Sequence, residues 1–437
     1  MNFVGCLPRD WHARIPAADG LAIAAVISLP WSTSLTSILV GLWLFAVVPQ
    51  IRVTALFHSL FSLPGGLPAL LVALAVLGML WSDVSLIEQW SGLRVFLKLL
   101  VIPVLLVQFR ISKNGNLAVL CFLISCSALL VLSILSAIWP SLTWWRPGNP
   151  GVPFKNQTTQ SAEFTVCAFC LMPLALKSYL QNKYLRGIGL AALSAAFLGS
   201  VFFIATSRTE LLVIATLIVA VFTRTSGWKG FLPSLATIAV LAPVILYSSS
   251  YLQARLRHGD WEIEHYITEH RPTSIGMRLD WWRQSLDIWK AAPIIGHGTG
   301  SIQSSFRKNV AQLEVNSSQF VTTDPHNQLI AVALQLGLVG VIVLLIMWVV
   351  HFRLFNGSEI VAWFGMVVVA QNIVASMFNS HLANFTEGWL YVFAVGILGG
   401  MMQRPRCPSV MAAFPGPSTA APSHPRHRPH RALSSSM

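Results

Sequence analysis

Apolar runs long enough to cross a lipid bilayer recur along nearly the whole of this 437-residue chain. A membrane-spanning helix needs ~20 mostly apolar residues, because the hydrocarbon core of a bilayer is ~30 Å thick. Only 10% of the residues are charged, whereas a soluble protein carries about 25%. These features predict an all-α, polytopic membrane protein with about 12 transmembrane helices and one large loop outside the membrane.

The apolar runs define the predicted spans. They cover residues 17–31, 33–50, 67–82, 91–109, 116–139, 160–177, 185–205, 208–223, 230–250, 326–352, 359–378 and 386–402. We interpret the first run as an uncleaved span, because no cleavage pattern of small residues follows it.

Lysine and arginine are concentrated in alternate connections between these spans, which hold more than half of the 29 basic residues. Basic connections stay in the cytoplasm, so both termini are predicted to be cytoplasmic. The same bias accounts for the net charge of +13 without nucleic acid as a partner. The prediction is a transmembrane domain over 1–403 and a disordered, basic cytoplasmic tail over 404–437.

Residues 251–325 are the longest polar segment, and the orientation places them on the non-cytoplasmic face of the membrane. Within them, Met277 to Lys290 has apolar residues at helical spacing and predicts an amphipathic helix. Its apolar residues are Leu279, Trp282, Leu286 and Trp289.

Arg208 opens a predicted span, next to Ser207 and two residues before Glu210. Serine followed three residues later by glutamate is the capping-box pattern of a helix N-terminus. A helix N-terminus favours anions, and an adjacent arginine strengthens that preference. The alternative is an arginine that reaches to lipid headgroups.

His326 lies at the start of another predicted span. Asp324 suits the N-cap and Pro325 the first helical position, which would place His326 in the first turn. The positive helix end would keep the imidazole neutral, as a general base requires, while the Asp324 carboxylate opposes this. Taken alone, a capping-region histidine facing headgroups is the better interpretation. His381 is the alternative histidine on the same face.

Further charged and aromatic residues are predicted on the non-cytoplasmic side. Two cations four residues apart on one helix face need anionic partners, for which Asp83, Glu88 or a lipid phosphate are candidates. Indole rings could stack on sugars, although tryptophan is also common at membrane interfaces. The candidate residues for binding a phosphate group or a sugar are Arg94, Lys98, Arg146, Lys155, Asp324 and Trp282.

Neither a cofactor nor a metal site is expected. The acidic residues between Asp260 and Glu264 resemble a cation site, but carboxylates on an exposed segment are usually solvated. The loop 296–300 is glycine-rich, but a turn is favoured over a nucleotide site because no strand precedes it.

Three segments, in this order, together resemble the bacterial O-antigen ligase and polymerase superfamily. They are Thr206–Glu210, then Arg278–Gly300, and then Asp324–Asn327 with Gln335–Gly340. Members of that family are GT-C-like membrane glycosyltransferases that move a sugar chain from a polyprenyl pyrophosphate to an acceptor hydroxyl. The resemblance implies that Arg208, Arg278 and His326 are the functional set.

The resemblance favours an O-antigen ligase that transfers polysaccharide from undecaprenyl pyrophosphate to lipid A-core, with inversion and without a metal. An O-antigen polymerase and a protein O-oligosaccharyltransferase remain alternatives within the superfamily. The non-enzyme alternative is a transporter of lipid-linked sugar. Transporters place ionisable residues near the membrane midplane, whereas these lie near one face.

Overall fold

The computed structural model describes residues 9–143, 149–269, 273–312 and 320–404, and in these ranges the regular structure is helical throughout, with no strand. Arg146 and the predicted cytoplasmic tail beyond Arg404 lie outside the described residues. Several helices begin at a polar residue whose side chain accepts a backbone N–H, which satisfies one of the unpaired donors of a helix start. These caps are Ser32, Ser62, Ser85, Asn156, Thr273 and Asn327.

In its described residues, the first half of the chain folds into nine helices. They are α1 (Arg9–Ser28), α2 (Thr33–Val47), α3 (Val53–Leu60), α4 (Leu63–Leu77), α5 (Leu86–Leu97), α6 (Val101–Ile111), α7 (Gly115–Ile138), α8 (Gln157–Leu180) and α9 (Tyr184–Phe203). A short 3-10 turn, Lys98–Leu100, joins α5 to α6.

The second half contributes nine more. They are α10 (Arg208–Ser226), α11 (Phe231–Ser248), α12 (Ser250–Glu269), α13 (Ser274–Ala291), α14 (Ile302–Gln312), α15 (Gln328–Leu354), α16 (Ile360–Ala375), α17 (Phe385–Phe393) and α18 (Gly399–Met402). A π-helical turn, Ala394–Leu398, connects α17 and α18.

Eight helical stretches of the described residues are long and apolar enough to cross a membrane. The pair α3 and α4, bent by 81°, makes a ninth if it counts as one span. Two shorter apolar helices are Pro16–Ser28 and Ile360–Ala375. The protein is therefore a multi-pass membrane protein.

One of the eight stretches, Arg208–Ser248, contains two helices. Gly227 has φ 61° between them, a conformation that favours glycine. α10 and α11 then pack along each other, as the two halves of a hairpin do.

The described part of the predicted large loop contains three helices, α12, α13 and α14. These helices lie at one end of the membrane helices, which we call the loop end. α13 includes the predicted amphipathic segment, but its predicted apolar face is wrong. Leu279 and Leu286 are exposed, whereas Gln284, Ser285 and Ile288 are buried. The helix packs on α15, where Ile288 and Trp289 join an apolar cluster with Ala331 and Leu334, so only part of the predicted face is buried.

The glycine-rich loop 296–300 fixes this loop to the membrane helices. α15 is broken at Gly337, which has φ 60°. The N–H groups of His297 and Gly298 donate to the carbonyls of Leu334 and Gln335, at 2.8 and 3.0 Å. In return, Leu338 N–H donates to Pro293 O at 2.9 Å. The loop thus pairs with the backbone that the break leaves open, and it is a turn, as predicted.

Candidate active site at the loop end

His326 stands just outside α15, in a left-handed backbone conformation with φ 54°. This conformation is unusual for a residue other than glycine and is often found at functional sites. The Asp324 carboxylate holds it by accepting the His326 N–H at 2.9 Å and the Ser380 hydroxyl at 2.5 Å. The side chain of Asp324 therefore fixes the position of the histidine.

The predicted helix start was wrong by three residues. Asn327, and not Asp324, is the N-cap, since its side chain accepts the Ile330 N–H at 3.2 Å. Asp324 cannot serve α15 because its carboxylate is occupied by His326 and Ser380. His326 consequently lies before the first helical turn.

The imidazole of His326 is half-buried at the edge of a polar space. Its Nδ1 lies 3.8 Å from Asp324 Oδ2, and its ring centre lies 5.6 Å from that of Trp281. Burial lowers the pKa of His326 below its ordinary value of 6.5. Asp324, Arg278 and Asn379 modify this pKa, since the carboxylate and the Asn379 hydrogen bond raise it and the guanidinium lowers it. A neutral ring at pH 7 can accept a proton.

Arg208 begins α10 and projects toward α12. Its guanidinium donates to Glu262 Oε2 at 2.8 Å and to Arg255 O at 3.4 Å. Gly259 lies directly against it, and a Cβ there would be 3.2 Å from the Arg208 Cζ. The side chain is 31% exposed, so part of its donor fork faces the open site.

The predicted capping box at this helix start does not form. Ser207 occupies the N-cap position but makes no side-chain capping hydrogen bond. Glu210 is fully buried, where Gln371 of α16 donates to its carboxylate at 3.5 Å. The glutamate turns inward because the first turn of α10 packs on α16.

Arg278 lies in the second turn of α13, across from Arg208. It donates to Phe378 O at 3.4 Å. Burial is the main cause that lowers the pKa of Arg278, and the positive charge of Arg208 adds to it. Asp324 and Glu262 act in the opposite direction. Two guanidinium groups thus share one small region, a geometry that suits an anion with several oxygens.

Two cavities flank these residues. An apolar cavity of about 420 Å³ runs between α8, α9, α10, α11 and α12, and its lining includes Leu211 and Leu256, each about one turn from the Arg208–Gly259 contact. A polar cavity of about 310 Å³ lies on the side of α5, and Asp324 and Ser380 are part of its wall. In the described ranges, no group of three or more His, Cys, Asp or Glu side chains is arranged to hold a metal ion.

Comparison with known proteins gives the same assignment as the three sequence segments. Residues 193–345 match the family model described as O-Antigen ligase. Over these residues, about a third of its length, the chain is similar to the O-antigen ligase superfamily. The predicted family is confirmed, and the matched region holds Arg208, Arg278 and His326.

A relative from Haemophilus influenzae, described as an uncharacterized protein, is 28% identical over 120 residues. The match covers 27% of this chain and 30% of that relative. The chain therefore spans less than a third of that protein's length, and the relative's description adds no activity to the superfamily assignment.

The other predicted ligand residues divide into three groups. Trp282 donates its indole N–H to Pro325 O at 2.9 Å and so helps to hold the backbone next to His326. Arg94 is exposed and lines the polar cavity. Lys98 and Lys155 are buried among protein groups. Their roles toward a substrate stay predictions.

Lys98 and Arg94 do not share one environment as predicted, because Arg94 is exposed and Lys98 is buried at the start of the 3-10 turn. The suggested carboxylate partners also lie elsewhere. Asp83 pairs with Lys308 at 2.7 Å, and Glu88 forms a capping box with Ser85.

Lys98 and Lys155 belong to a set that we call the buried ionic cluster. Its members are Lys98, Lys155, Glu163, Glu387 and His381. Lys98 donates to the backbone of Ala383 and Asn384, and Lys155 Nζ lies 3.8 Å from Glu163. His381, the alternative histidine, is fully buried, and burial lowers its pKa.

Sequence reasoning did not assign a role at the site to Glu262, Asn379, Ser380 or Trp281. Glu262 was considered only with the acidic residues 260–264, yet its carboxylate holds Arg208 across 54 positions of the chain. Ser380 follows a helix by several residues and shows no motif. The one available signal was Trp281, which precedes the predicted Trp282 and stands one helical turn beyond Arg278.

Proposed function

We propose that the chain is an O-antigen ligase that transfers O-antigen polysaccharide from undecaprenyl pyrophosphate to the lipid A-core oligosaccharide. The observation that carries this proposal is the proximity of Arg208, Arg278 and His326, which come from α10, α13 and the segment before α15 and interact electrostatically through Arg278. A pair of arginines beside a neutral histidine suits a reaction with an anionic leaving group and a hydroxyl nucleophile.

In the proposed reaction, Arg208 and Arg278 bind the pyrophosphate of the donor. As the bond between the sugar C1 and the pyrophosphate oxygen breaks, negative charge grows on the leaving group. Two guanidinium forks stabilise that charge through bidentate hydrogen bonds, so a metal ion is not required. Glu262 keeps Arg208 oriented, and Asp324 keeps His326 in position.

His326 acts as the general base in this scheme. It takes the proton of the acceptor hydroxyl while the hydroxyl oxygen attacks C1 from the side opposite the pyrophosphate. This direct displacement inverts the anomeric centre. The apolar cavity beside α10 suits the first isoprene units of the carrier, because it lies next to the arginines and is lined almost wholly by hydrocarbon.

We further propose a GT-C-like topology with twelve membrane crossings. The count treats α10 and α11 as two crossings, treats bent α3 and α4 as one, and includes the shorter helices that start at Pro16 and Ile360. The basic bias of alternate connections supports cytoplasmic termini in the inner membrane and a periplasmic loop end. Residues 1–403 form the membrane domain, and residues 404–437 are a cytoplasmic tail.

Gel analysis of lipopolysaccharide from a deletion strain tests the reaction. A ligase defect leaves lipid A-core without any attached polymer, while polymer accumulates on the lipid carrier. A polymerase defect instead leaves a single repeat unit on the core, and that result would replace the ligase proposal by the polymerase alternative. Unchanged lipopolysaccharide would contradict both.

A further inference from the structure

The polar cavity beside α5 has a lining unlike that of the arginine pair or the apolar cavity. Its volume of about 310 Å³ lies at the lower end of ligand pockets, which span roughly 300–1,000 Å³. Its wall combines apolar side chains, such as Val95 and Ile302, with many carboxylates, amides and hydroxyls. They include Glu88, Ser91, Asp324, Gln328, Ser380 and Asn384, and Arg94 supplies the one guanidinium among its lining residues.

This chemistry excludes several ligands. Two carboxylates, from Glu88 and Asp324, would repel a pyrophosphate, and the many polar groups would be desolvated by a lipid chain. A neutral sugar suits them, because each hydroxyl can both donate and accept a hydrogen bond. Gln328 illustrates the fit. It is 3% exposed, its Oε1 accepts the Ala383 N–H at 3.2 Å, and its amide nitrogen has no partner among the described residues.

The cavity is also placed for the reaction. Asp324 forms part of its wall and stands 3.8 Å from the imidazole of His326. A hydroxyl group that contacts Asp324 from the cavity would therefore lie close to the histidine. The lining residues of the cavity include neither Arg208 nor Arg278, so a ligand there would leave the pyrophosphate region free.

We propose that this cavity is the acceptor subsite and that it binds the neutral sugar ring that carries the attacking hydroxyl. The inference rests on the proposed function, because it takes His326 as the base. The ring is held by Arg94, Gln328 and Glu88. Its attacking hydroxyl lies beside Asp324 and is directed toward His326. The same chemistry is found in the core oligosaccharide and in a lipid-linked repeat unit, which are the acceptors of a ligase and of a polymerase.

Ser91→Trp tests the subsite by filling it, and Arg94→Ala tests it by removing a donor. Ser305→Trp is the matched control, since Ser305 lines a neighbouring polar cavity of about 230 Å³ between α13 and α14. The full chain, purified in lipid nanodiscs, is titrated with rough lipopolysaccharide that lacks polymer. A second titration uses a polyprenyl pyrophosphate-linked repeat unit.

We expect Ser91→Trp and Arg94→Ala to weaken acceptor binding, and to raise the acceptor KM, by about 10-fold or more. The KM for the polymer donor should stay within about twofold, and Ser305→Trp should behave as wild type. The probe whose binding Ser91→Trp weakens identifies the acceptor source, because a polyprenyl pyrophosphate can also bind at Arg208 and Arg278.

Equal acceptor binding by Ser91→Trp and the wild type would overturn the subsite even if transfer is normal, and the proposed function would stand. Binding of neither probe by the wild type would also overturn it. Acceptor binding that Ser91→Trp abolishes, in a protein that never transfers polymer, would support the subsite and contradict the proposed function.

Discussion

Two Lys/Arg–Glu pairs of this protein differ sharply in their surroundings. Arg208, paired with Glu262 at the loop end, keeps 31% of its side chain exposed. Lys155, paired with Glu163, keeps 11%, and Glu163 keeps 1%. A partly open cation can exchange its protein partner for a substrate, whereas a buried one is committed to the fold. We therefore expect changes at the first pair to alter turnover and changes at the second to alter folding.

His326→Ala should have the largest effect on turnover. Loss of a general base typically reduces the rate ~10²–10⁴-fold. Donor binding should persist, and some rate should return as the pH is raised, because hydroxyl deprotonation becomes easier. Transfer assays with purified protein and a binding assay with undecaprenyl pyrophosphate measure both properties.

A different result would assign His326 another role. If the variant loses carrier affinity and shows no recovery at high pH, the imidazole donates a hydrogen bond to pyrophosphate instead. If His326→Ala is active and His381→Ala is inactive, the general base is His381 and not His326. Because His381 is buried, this comparison also requires a check that His381→Ala folds.

Arg208→Lys and Arg278→Lys should each reduce turnover by ~10²–10³-fold. Lysine keeps the charge but loses the planar fork that binds two oxygens at once. The melting temperature should change little, since both side chains lie at the open end. Near-normal transfer by Arg208→Lys would contradict the role in pyrophosphate binding and would indicate that Arg208 only contacts lipid headgroups.

The buried ionic cluster should respond in the opposite way. Lys155→Met leaves the Glu163 carboxylate buried without its partner, which typically costs about 3–5 kcal/mol. Adding Glu163→Gln should restore part of the stability. Thermal unfolding followed by size-exclusion chromatography measures the change, and Lys308→Met, at an exposed ion pair, is the control. Equal melting temperatures for Lys155→Met and Lys308→Met would contradict the comparison.

Asp324→Asn should cause a smaller change, seen in the pH profile. Asparagine keeps an oxygen for the His326 N–H but removes the negative charge that raises the pKa of the imidazole. The pKa of His326 therefore falls further below 6.5, and the acidic limb of kcat/KM should move to lower pH. A shift to higher pH would mean that another group controls this limb.

Excess EDTA should have the smallest effect, namely none on turnover, because the two guanidinium groups supply the positive charge. The assay is repeated with added magnesium or manganese. If chelation stops transfer and either ion restores it, the acidic residues 260–264 become the better candidates.

The sequence was informative where local chemistry decides the structure. Each predicted span overlaps an observed helix, since apolar length alone specifies a membrane helix. The start of α15 was missed because both Asp324 and Asn327 are good caps, and the choice depends on Ser380, which is distant in sequence. The pairing of Arg208 with Glu262 is likewise a tertiary contact that no local pattern encodes.

The break in α15 has a consequence for how the chain is assembled during synthesis. Backbone groups left open at Gly337 are costly in a bilayer unless another segment pairs with them. Here that segment is the stretch from Pro293 to Gly298. It is synthesised before α15 and is separated from it in the sequence by α14. Membrane insertion of α15 is then complete only when this stretch has docked, so a truncated chain without it should expose an incompletely inserted helix to quality-control proteases.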